Sequence, residues 1–226
     1  MPDIIKILTP EVSNKIAAGE VVQRPSSVLK ELLENSIDAN SSKIKIIIKN
    51  AGKNLIQVID DGIGMSRNDM YKSFIKHATS KINKIDDVFS INSMGFRGEA
   101  LAAISSVSMI EMSSAKLNEN DGYFIEINGG KVITEKELIG NKGTSVKVQN
   151  LFYNVPARRN FLKSDFVELR HIINVFNSIA LSNNEIEFSF INNDEEIFYL
   201  EKESLKKRII SIFGEKIREN LIFNLI

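Results

Sequence analysis

Residues 30–39 read Lys30-Glu31-Leu32-Leu33-Glu34-Asn35-Ser36-Ile37-Asp38-Ala39 and belong to a segment with the spacing of an amphipathic helix. At about 100° per residue, the apolar side chains of this helix cover one half of its circumference: Val28, Leu29, Leu32, Leu33 and Ile37. Glu31, Asn35 and Asp38 fall together in a wedge of about 60° beside that apolar face. Two carboxylates and an amide therefore line the edge of the core, although such a wedge taken alone is more typical of a solvated helix face.

The second informative stretch is Asp60-Asp61-Gly62-Ile63-Gly64-Met65, which follows an apolar strand at residues 55–59. Two glycines one residue apart allow the backbone to approach a flat ligand and to take angles closed to other residues. The Asp60 carboxylate just before them can accept a hydrogen bond from an exocyclic amine. An Asp-Gly pair in isolation is more often a hairpin turn, so this stretch alone does not decide between a binding site and a turn.

A third stretch, Gly95-Phe96-Arg97-Gly98-Glu99-Ala100-Leu101, places glycines on both sides of a turn that opens a helix. Free backbone N–H groups and the helix dipole make such a helix start a site for anions, but a plain loop-to-helix junction has the same pattern. Gly143-Thr144 at the start of a strand is a weaker signal. No Gly-x-x-x-x-Gly-Lys-Ser/Thr motif occurs in the sequence, which excludes a P-loop.

The composition excludes several classes of protein. The 226 residues include 29 basic and 29 acidic side chains, whereas a protein that acts on nucleic acid alone usually has a clear basic excess. No apolar run reaches the roughly eighteen residues of a membrane helix, and the lack of cysteine excludes disulfides and thiolate metal sites. His77 and His171 lack ligand spacing, so neither predicts a metal site. We expect a cytoplasmic protein.

The order of predicted elements favours an α+β fold, with one mixed, mainly antiparallel sheet and helices layered on one face. We predict a first helix over residues 10–18 that ends at Gly19, a capped helix from Ser66 to about residue 76, and a loop through Pro156. Leu221–Ile226 has the pattern of a strand with nothing after it to pair with. We therefore expect that the chain ends at the entrance to a second domain.

These stretches occur in one order with one set of gaps, and together they resemble the GHKL ATPases: gyrase B subunits, heat-shock chaperone ATPases, histidine kinases and MutL mismatch-repair proteins. Within that superfamily the sequence resembles the MutL family. The segments that carry the resemblance cover most of residues 10–162, and several are specific to mismatch-repair members. They are Asn14-Lys15-Ile16-Ala17-Ala18-Gly19-Glu20-Val21-Val22, Arg24-Pro25, Lys30–Ala39, His77-Ala78-Thr79-Ser80-Lys81, Gly95–Leu101 and Leu151-Phe152-Tyr153-Asn154-Val155-Pro156-Ala157-Arg158-Arg159.

The resemblance implies a GHKL (Bergerat) ATPase sandwich that uses ATP and Mg2+. It implies that Glu31 is the catalytic base that orients the attacking water, and that Asn35 is the Mg2+ ligand that bridges to the phosphates. Asp60 would accept from the adenine amino group, Lys81 would belong to the phosphate lid, and Glu34 and Asp38 would support these groups. The full nucleotide-binding set implied in this way is Asn35, Asp60, Gly64, Met65, Thr79, Ser80, Lys81, Gly95, Phe96, Arg97, Gly98, Glu99, Leu101 and Thr144.

For the whole protein, the resemblance implies a slow ATPase that works as an ATP-dependent homodimeric clamp in DNA mismatch repair. Its implied partners are a mismatch-recognition protein of the MutS type and a downstream repair nuclease or helicase, in a bacterial cytoplasm near the nucleoid. Residues 1–200 would form the ATPase domain, and residues 201–226 the start of a truncated transducer (S5-like) domain. The family's γ-phosphate lysine would lie in that second domain, beyond this chain. Two positions depart from the family pattern. This chain has Asn40 where the family usually has Gly, and Val155 where the family usually has Thr.

Two other functions stay open from the sequence. The chain can be a nucleotide-sensing module in which conformation matters more than turnover, or another GHKL enzyme such as a histidine kinase or a topoisomerase subunit. We also expect weak, salt-dependent and non-specific DNA binding through two basic clusters, Arg158-Arg159 with Lys163 and Lys206-Lys207-Arg208. The alternative for both clusters is a set of solvated surface charges.

Overall fold

The computed structural model describes residues 9–79, 98–116, 121–140 and 142–220. Within these ranges the strands are β1 Lys43–Lys49, β2 Leu55–Asp60, β3 Met109–Ala115, β4 Asp121–Asn128, β5 Lys131–Ile139, β6 Gly143–Gln149, β7 Glu187–Asn192 and β8 Glu195–Leu200. They form one sheet in the order β5-β4-β3-β6-β2-β1-β7-β8. β1 and β7 run parallel, and the other neighbouring pairs are antiparallel. The predicted mixed, mainly antiparallel sheet is confirmed.

The helices of the described residues are α1 Pro10–Val21, α2 Pro25–Asp38, α3 Arg67–Ser73, α4 Ala100–Ser106, α5 Pro156–Phe161, α6 Asp165–Ser182 and α7 Leu205–Phe213. Short 3-10 turns cover Asn50–Gly52 and Glu215–Asn220. Pro25 and Pro156 occupy first-turn positions, where a missing N–H costs nothing. Gly214 ends α7 with a φ of 85°, an angle that glycine adopts without strain.

The core lies between the sheet and the helices. Ile44, Ile46 and Ile48 of β1 are fully buried, whereas the lysines that alternate with them are exposed. The apolar side of α2 joins the same core, with Val28, Leu29, Leu32 and Leu33 buried and Ile37 partly buried. Burial of a side chain of this size contributes about 1.5–3 kcal/mol, so the period-2 pattern of the strand and the 3.6-residue pattern of the helix fix how the two pack.

A cluster of aromatic rings joins α6 to the other edge of the sheet. The Phe176 ring lies 5.8 Å from the Phe188 ring, 4.9 Å from Phe190 and 5.2 Å from Phe198, measured between centroids. Two of these contacts are edge-to-face, the geometry that the quadrupoles of aromatic rings favour. The cluster therefore fixes α6 over β7 and β8.

Arg208 attaches α7 to the same edge. Its side chain is fully buried, and its guanidinium donates to the backbone carbonyls of Ala180, Asn183, Asn184, Ile186 and Glu201. The guanidinium also pairs with the Glu203 carboxylate at 3.2 Å. Desolvation lowers the pKa of Arg208, and the Glu203 carboxylate opposes that shift. One side chain thus closes the end of α6 and holds both strands of the β7–β8 hairpin against α7.

Three predicted boundaries are wrong. The helix α1 does not end at Gly19 but continues to Val21, and the backbone N–H of Val22 still bonds to the Ala18 carbonyl across Gly19. The Arg158 guanidinium packs against the bare Gly19 backbone, where an added Cβ would lie 1.3 Å from Nη2. The helix α3 ends at Ser73, since Phe74 and Ile75 turn back with bonds of the 3-10 type. The predicted loop through Pro156 contains α5.

Candidate functional site

The helix α2 places the predicted catalytic and metal-binding side chains along one edge. Glu31, Asn35 and Asp38 are each half-buried, between the buried apolar half of α2 and its solvent side. All three take part in polar interactions, which a freely solvated face would not require. Glu34 is buried and pairs with Lys30 at 3.0 Å, so its contact supports α2 itself.

Asp60 is held in one orientation at the end of β2. Asp60 is buried, at 9% exposure. Oδ2 accepts from the Ser36 hydroxyl at 2.8 Å, and Oδ1 accepts from the backbone N–H of Gly62 at 3.0 Å and of Thr144 at 3.2 Å. Because Oδ2 accepts one of these bonds and Oδ1 accepts two, Oδ2 has the greater remaining capacity to accept a further hydrogen bond.

The Ser36 bond also connects two predicted parts of the site. Ser36 follows Asn35 directly on α2, so the helix that carries the predicted metal ligand is bonded to the predicted adenine acceptor. Burial raises the pKa of the Asp60 carboxyl above its ordinary value, and the hydrogen bonds from Ser36, Gly62 and Thr144 only partly offset that effect. A buried carboxylate that still has accepting capacity is suited to bind the amino group of a ligand.

The neighbouring Asp61 has a different environment. Its Oδ1 accepts from the backbone N–H groups of Ser42 at 2.7 Å and Lys43 at 2.9 Å, and its Oδ2 accepts from the Ser42 hydroxyl. Desolvation acts to raise the pKa of Asp61, but the bonds from Ser42 and Lys43 outweigh it, so the pKa is lowered. Asp61 therefore secures the start of β1, and of the two carboxylates only Asp60 faces the glycine turn and Thr144.

The glycine turn after Asp60 lies directly on the end of β3. Gly64 has a φ of 68°, and a Cβ added there would lie 1.9 Å from the Ala115 carbonyl oxygen. A Cβ on Gly62 would meet Ala39 and the Ser41 hydroxyl at 2.8 Å. Both positions therefore require glycine, one for its backbone angle and both for space. The turn is a close approach of three chain segments rather than a simple hairpin.

Gly143 and Thr144 form the opposite side of this junction. Gly143 has a φ of 108°, and a Cβ there would lie 1.9 Å from the Asp60 carbonyl oxygen. The buried Thr144 hydroxyl is 2.8 Å from the Ser114 hydroxyl. The structure thus brings Thr144 next to Asp60 and the Gly64 turn, which precede it by about 80 positions in the sequence.

The structure describes only part of the predicted phosphate lid, namely its two ends at residues 77–79 and 98–101. Gly98, which has a φ of 60°, accepts at its carbonyl from the backbone N–H of His77 at 3.0 Å. The His77 Nδ1 lies 3.1 Å from the Glu99 carboxylate. Thr79 and Leu101 are half-buried, and Leu101 packs against the core. The two ends of this region therefore meet, while the predicted residues Ser80, Lys81, Gly95, Phe96 and Arg97 lie outside the described residues.

A model of the histidine kinase-, DNA gyrase B- and HSP90-like ATPases matches residues 23–151, more than half of the chain. Among solved structures, the ATPase domain of Aquifex aeolicus MutL in complex with ADP superimposes with a TM-score of 0.69 at 33% sequence identity, over 85% of this chain and 70% of that one. The chain belongs to the MutL family of these ATPases.

Other MutL relatives agree with this assignment. The DNA mismatch repair proteins MutL of Christiangramia forsetii and Flavobacterium psychrophilum are each 52% identical over 98% of this chain. The crystal structure of the N-terminal domain of a DNA repair protein superimposes with a TM-score of 0.75 at 28% identity, over 89% of this chain and 60% of that one. The chain spans 36% of the length of the two MutL relatives, so it corresponds to their ATPase part. The α+β ATPase fold implied by the sequence is confirmed.

Two residues of this candidate site are absent from the sequence predictions, Ser36 and Ser114. Both are buried, at 4% and 3% exposure, and both donate or accept within the Asp60–Thr144 junction. The signal for Ser36 was its place beside Asn35 in a helix, where a buried serine needs a partner. Ser114 carried no such signal, because its contacts lie in the turn and strand that fold next to β3.

The basic clusters are only partly accessible to a partner. Arg158 packs on Gly19 and lies over the Phe152 ring at 5.8 Å, and Arg208 is fully buried. Arg159, Lys163 and Lys207 are exposed. Arg208 is therefore not available to a partner, because its guanidinium binds backbone carbonyls. Arg158 is half-buried, and weak DNA binding through the exposed members of the clusters stays a prediction.

The structure adds two findings on metals and membranes for the residues it describes. No group of three or more His, Cys, Asp and Glu side chains there could hold a metal ion. A divalent cation at Asn35 would therefore depend on oxygen ligands from a bound phosphate, as Mg2+ commonly does. Among the same residues, no helix has the length and apolar character needed to cross a bilayer.

Proposed function

We propose that this chain binds ATP with Mg2+ and hydrolyses it slowly, as the ATPase part of a DNA mismatch repair protein of the MutL type. The observation that carries the proposal is the Asp60 carboxylate. Ser36, Gly62 and Thr144 hold it in one orientation beside a glycine turn, and Ser36 connects it to the helix that carries Asn35. The ADP bound to the MutL ATPase domain of Aquifex aeolicus supports a nucleotide as the ligand.

The adenine amino group would donate to Oδ2 of Asp60, which accepts fewer hydrogen bonds from the protein than Oδ1 does. Gly64 would shape the slot by letting the turn pack directly on the Ala115 backbone at the end of β3. Thr144 holds Oδ1 through its backbone N–H. Guanine has a carbonyl where adenine has the amino group, so the carboxylate would repel it. This arrangement selects adenine over guanine.

The phosphates would extend from the purine slot along α2. Asn35 would hold Mg2+ through its side-chain oxygen, and the ion would neutralise phosphate charge. Glu31 precedes Asn35 by about one helical turn on the same side of α2, so its carboxylate can orient the attacking water and accept its proton. Lys81 and the backbone at Gly95 to Gly98, together with Thr79, Ser80, Glu99 and Leu101, would close over the phosphates.

For the longer protein we propose an ATP-dependent homodimeric clamp that couples mismatch recognition to downstream repair. A mismatch-recognition protein of the MutS type and a repair nuclease or helicase would be its partners, in the cytoplasm near the nucleoid. A second, transducer-like domain would begin near residue 201. The Arg208 contacts mean that the first helix of that region, α7, is attached to the ATPase domain.

Calorimetry with ATP, ADP and GTP in the presence of Mg2+ tests the proposal. We expect ATP and ADP to bind in a one-to-one ratio and GTP to bind more weakly. Removal of Mg2+ by a chelator should weaken the binding of ATP more than the binding of adenosine, since only ATP carries the phosphates that the ion neutralises. Failure of the wild-type chain to bind any adenine nucleotide would overturn the proposed function.

A further inference from the structure

We infer that Ser114 determines the selectivity of the purine slot by joining its two walls, a role that rests on the proposed nucleotide binding. Ser114 lies on β3, directly opposite Thr144 of β6, which in turn lies opposite Asp60 of β2. The three side chains thus form one row across three neighbouring strands, and all are buried. Ser114 occupies the end of the row away from Asp60.

The Ser114 hydroxyl contacts both segments that flank the slot. It accepts from the backbone N–H of Met65 at 2.9 Å, on the glycine turn. It lies 3.1 Å from the Gly143 carbonyl and 2.8 Å from the Thr144 hydroxyl, on β6. One oxygen therefore sets the distance between the turn that carries Gly64 and the strand that carries Thr144.

The distance between the turn and β6 matters because both segments are already closely packed against their neighbours. The Gly64 backbone already touches the end of β3, and Gly143 already touches Asp60. Removal of the Ser114 hydroxyl would leave the Met65 N–H without that acceptor and would free the Thr144 hydroxyl to turn. The glycine turn would then lose one hydrogen bond that fixes it to β3, so the position of the turn relative to the Asp60 carboxylate would be less well defined. Selectivity for adenine should fall for this reason.

Ser114 is a positioning residue, since it acts on the nucleotide through Met65 and Thr144. A merely structural serine would alter stability and would change the affinity for both purine nucleotides by the same factor. A serine that sets the slot would change the ratio of ATP to GTP affinity. That ratio is therefore the decisive quantity.

The test compares Ser114→Ala with the wild-type chain and with Ser106→Ala. Ser106 is also a buried serine, but its hydroxyl only bonds back to the Ala103 carbonyl within α4. Calorimetry with Mg2+ and either ATP or GTP gives the affinities, and thermal unfolding without nucleotide gives the stability. We expect Ser114→Ala to bind ATP about tenfold more weakly, as for the removal of buried hydrogen bonds, and to lose much of its preference over GTP. Ser106→Ala should retain the wild-type ratio.

An unchanged ATP-to-GTP ratio in Ser114→Ala would overturn the inference while ATP binding by the wild-type chain still supports the proposed function. A wild-type chain that binds no ATP would overturn both. If Ser114→Ala does not fold, Ser114→Cys decides, because a thiol is a weaker hydrogen-bonding group of similar shape. A reduced ratio in folded Ser114→Cys supports the inference, and a wild-type ratio contradicts it.

Discussion

Thr144 lies directly opposite Asp60 in the antiparallel pair of β6 and β2, and its backbone N–H donates to the Asp60 Oδ1 at 3.2 Å. The two residues are 84 positions apart in the chain. Their bond fixes one carboxylate oxygen and leaves the other to Ser36 and to a ligand. Substitutions at and around this carboxylate can establish whether that ligand is ATP.

Asp60→Asn should weaken ATP binding more than it alters folding. An amide that turns its nitrogen toward the adenine amino group cannot accept from it, and an unpaired buried group costs on the order of 1–3 kcal/mol. The matched control is Asp61→Asn, because the Asp61 carboxylate binds Ser42 and Lys43 instead of the slot. Calorimetry should show weaker ATP binding for Asp60→Asn only. Equal preference for ATP over GTP in wild type and Asp60→Asn would refute the adenine assignment.

The two aspartates should affect the pH dependence of stability in opposite directions. Burial raises the pKa of Asp60 above 3.8 in the folded protein, so its contribution to stability is present below 3.8 and is lost as the pH rises through the folded value. The pKa of Asp61 is lowered from 3.8, so its contribution is present above 3.8 and is lost as the pH falls through the folded value.

Urea unfolding across acidic and neutral pH measures both effects. Relative to wild type, Asp60→Asn should gain stability as the pH rises, and Asp61→Asn should lose it. ATP binding should also weaken in acid at a higher pH than for an ordinary aspartate, since a protonated Asp60 has one acceptor fewer. Parallel pH profiles for the two variants would show that the assigned environments are wrong.

Asn35→Ala should abolish Mg2+-dependent ATP binding, because no other side chain is assigned to the ion. Asn174→Ala is the control, since Asn174 is an exposed asparagine in the middle of α6 and carries a similar cost in helix propensity. Both variants should unfold at temperatures close to that of wild type. Unchanged affinity of Asn35→Ala for ATP with Mg2+ would remove Asn35 from the metal site.

DNA binding by this chain should be weak and should fade as the salt concentration rises. The net charge is zero, and Arg158 and Arg208 are engaged within the protein. Replacing the exposed Arg159 and Lys163 by alanine should reduce the salt slope of the affinity by roughly 1 for each phosphate-binding side chain that is removed. Lys45→Ala, on the outer face of β1, should leave the slope unchanged. Tight binding that is insensitive to salt would contradict this prediction.

Local sequence patterns predicted most helices and strands, but they did not predict contacts between segments that are distant in the sequence. A strand is predicted by the alternation of Ile44, Ile46 and Ile48, and α2 is predicted by its apolar half. Both patterns involve residues that are near one another in the sequence, so the spacing of the apolar residues was sufficient to predict them. The glycine inside α1 has a different origin, since Arg158, a residue far along the chain, packs on Gly19. The local sequence around Gly19 gives no indication of that contact.

In the candidate site, too, some residues were predictable from the sequence and others were not. Asp60, Gly64 and Thr144 stand in recognisable turns, and the fold brings them together as the family resemblance implies. Ser36 and Ser114 are common residues in ordinary helix and strand contexts. Their importance arises only from the partners that the sheet register places beside them, and a single sequence does not contain that register.

Glu31 is proposed as the catalytic base of the ATPase, and the variant Glu31→Ala probes this role. The measurement is steady-state ATP hydrolysis together with ATP affinity, made in a full-length protein of the MutL type that carries these residues, with Glu195→Ala, an exposed carboxylate of β8, as the control. A positioned base contributes about 10²–10⁴-fold, so Glu31→Ala should lose nearly all turnover. Its affinity for ATP should hold or rise, because one negative charge near the phosphates is gone. Hydrolysis by Glu31→Ala at the wild-type rate would contradict the account and would favour a nucleotide sensor.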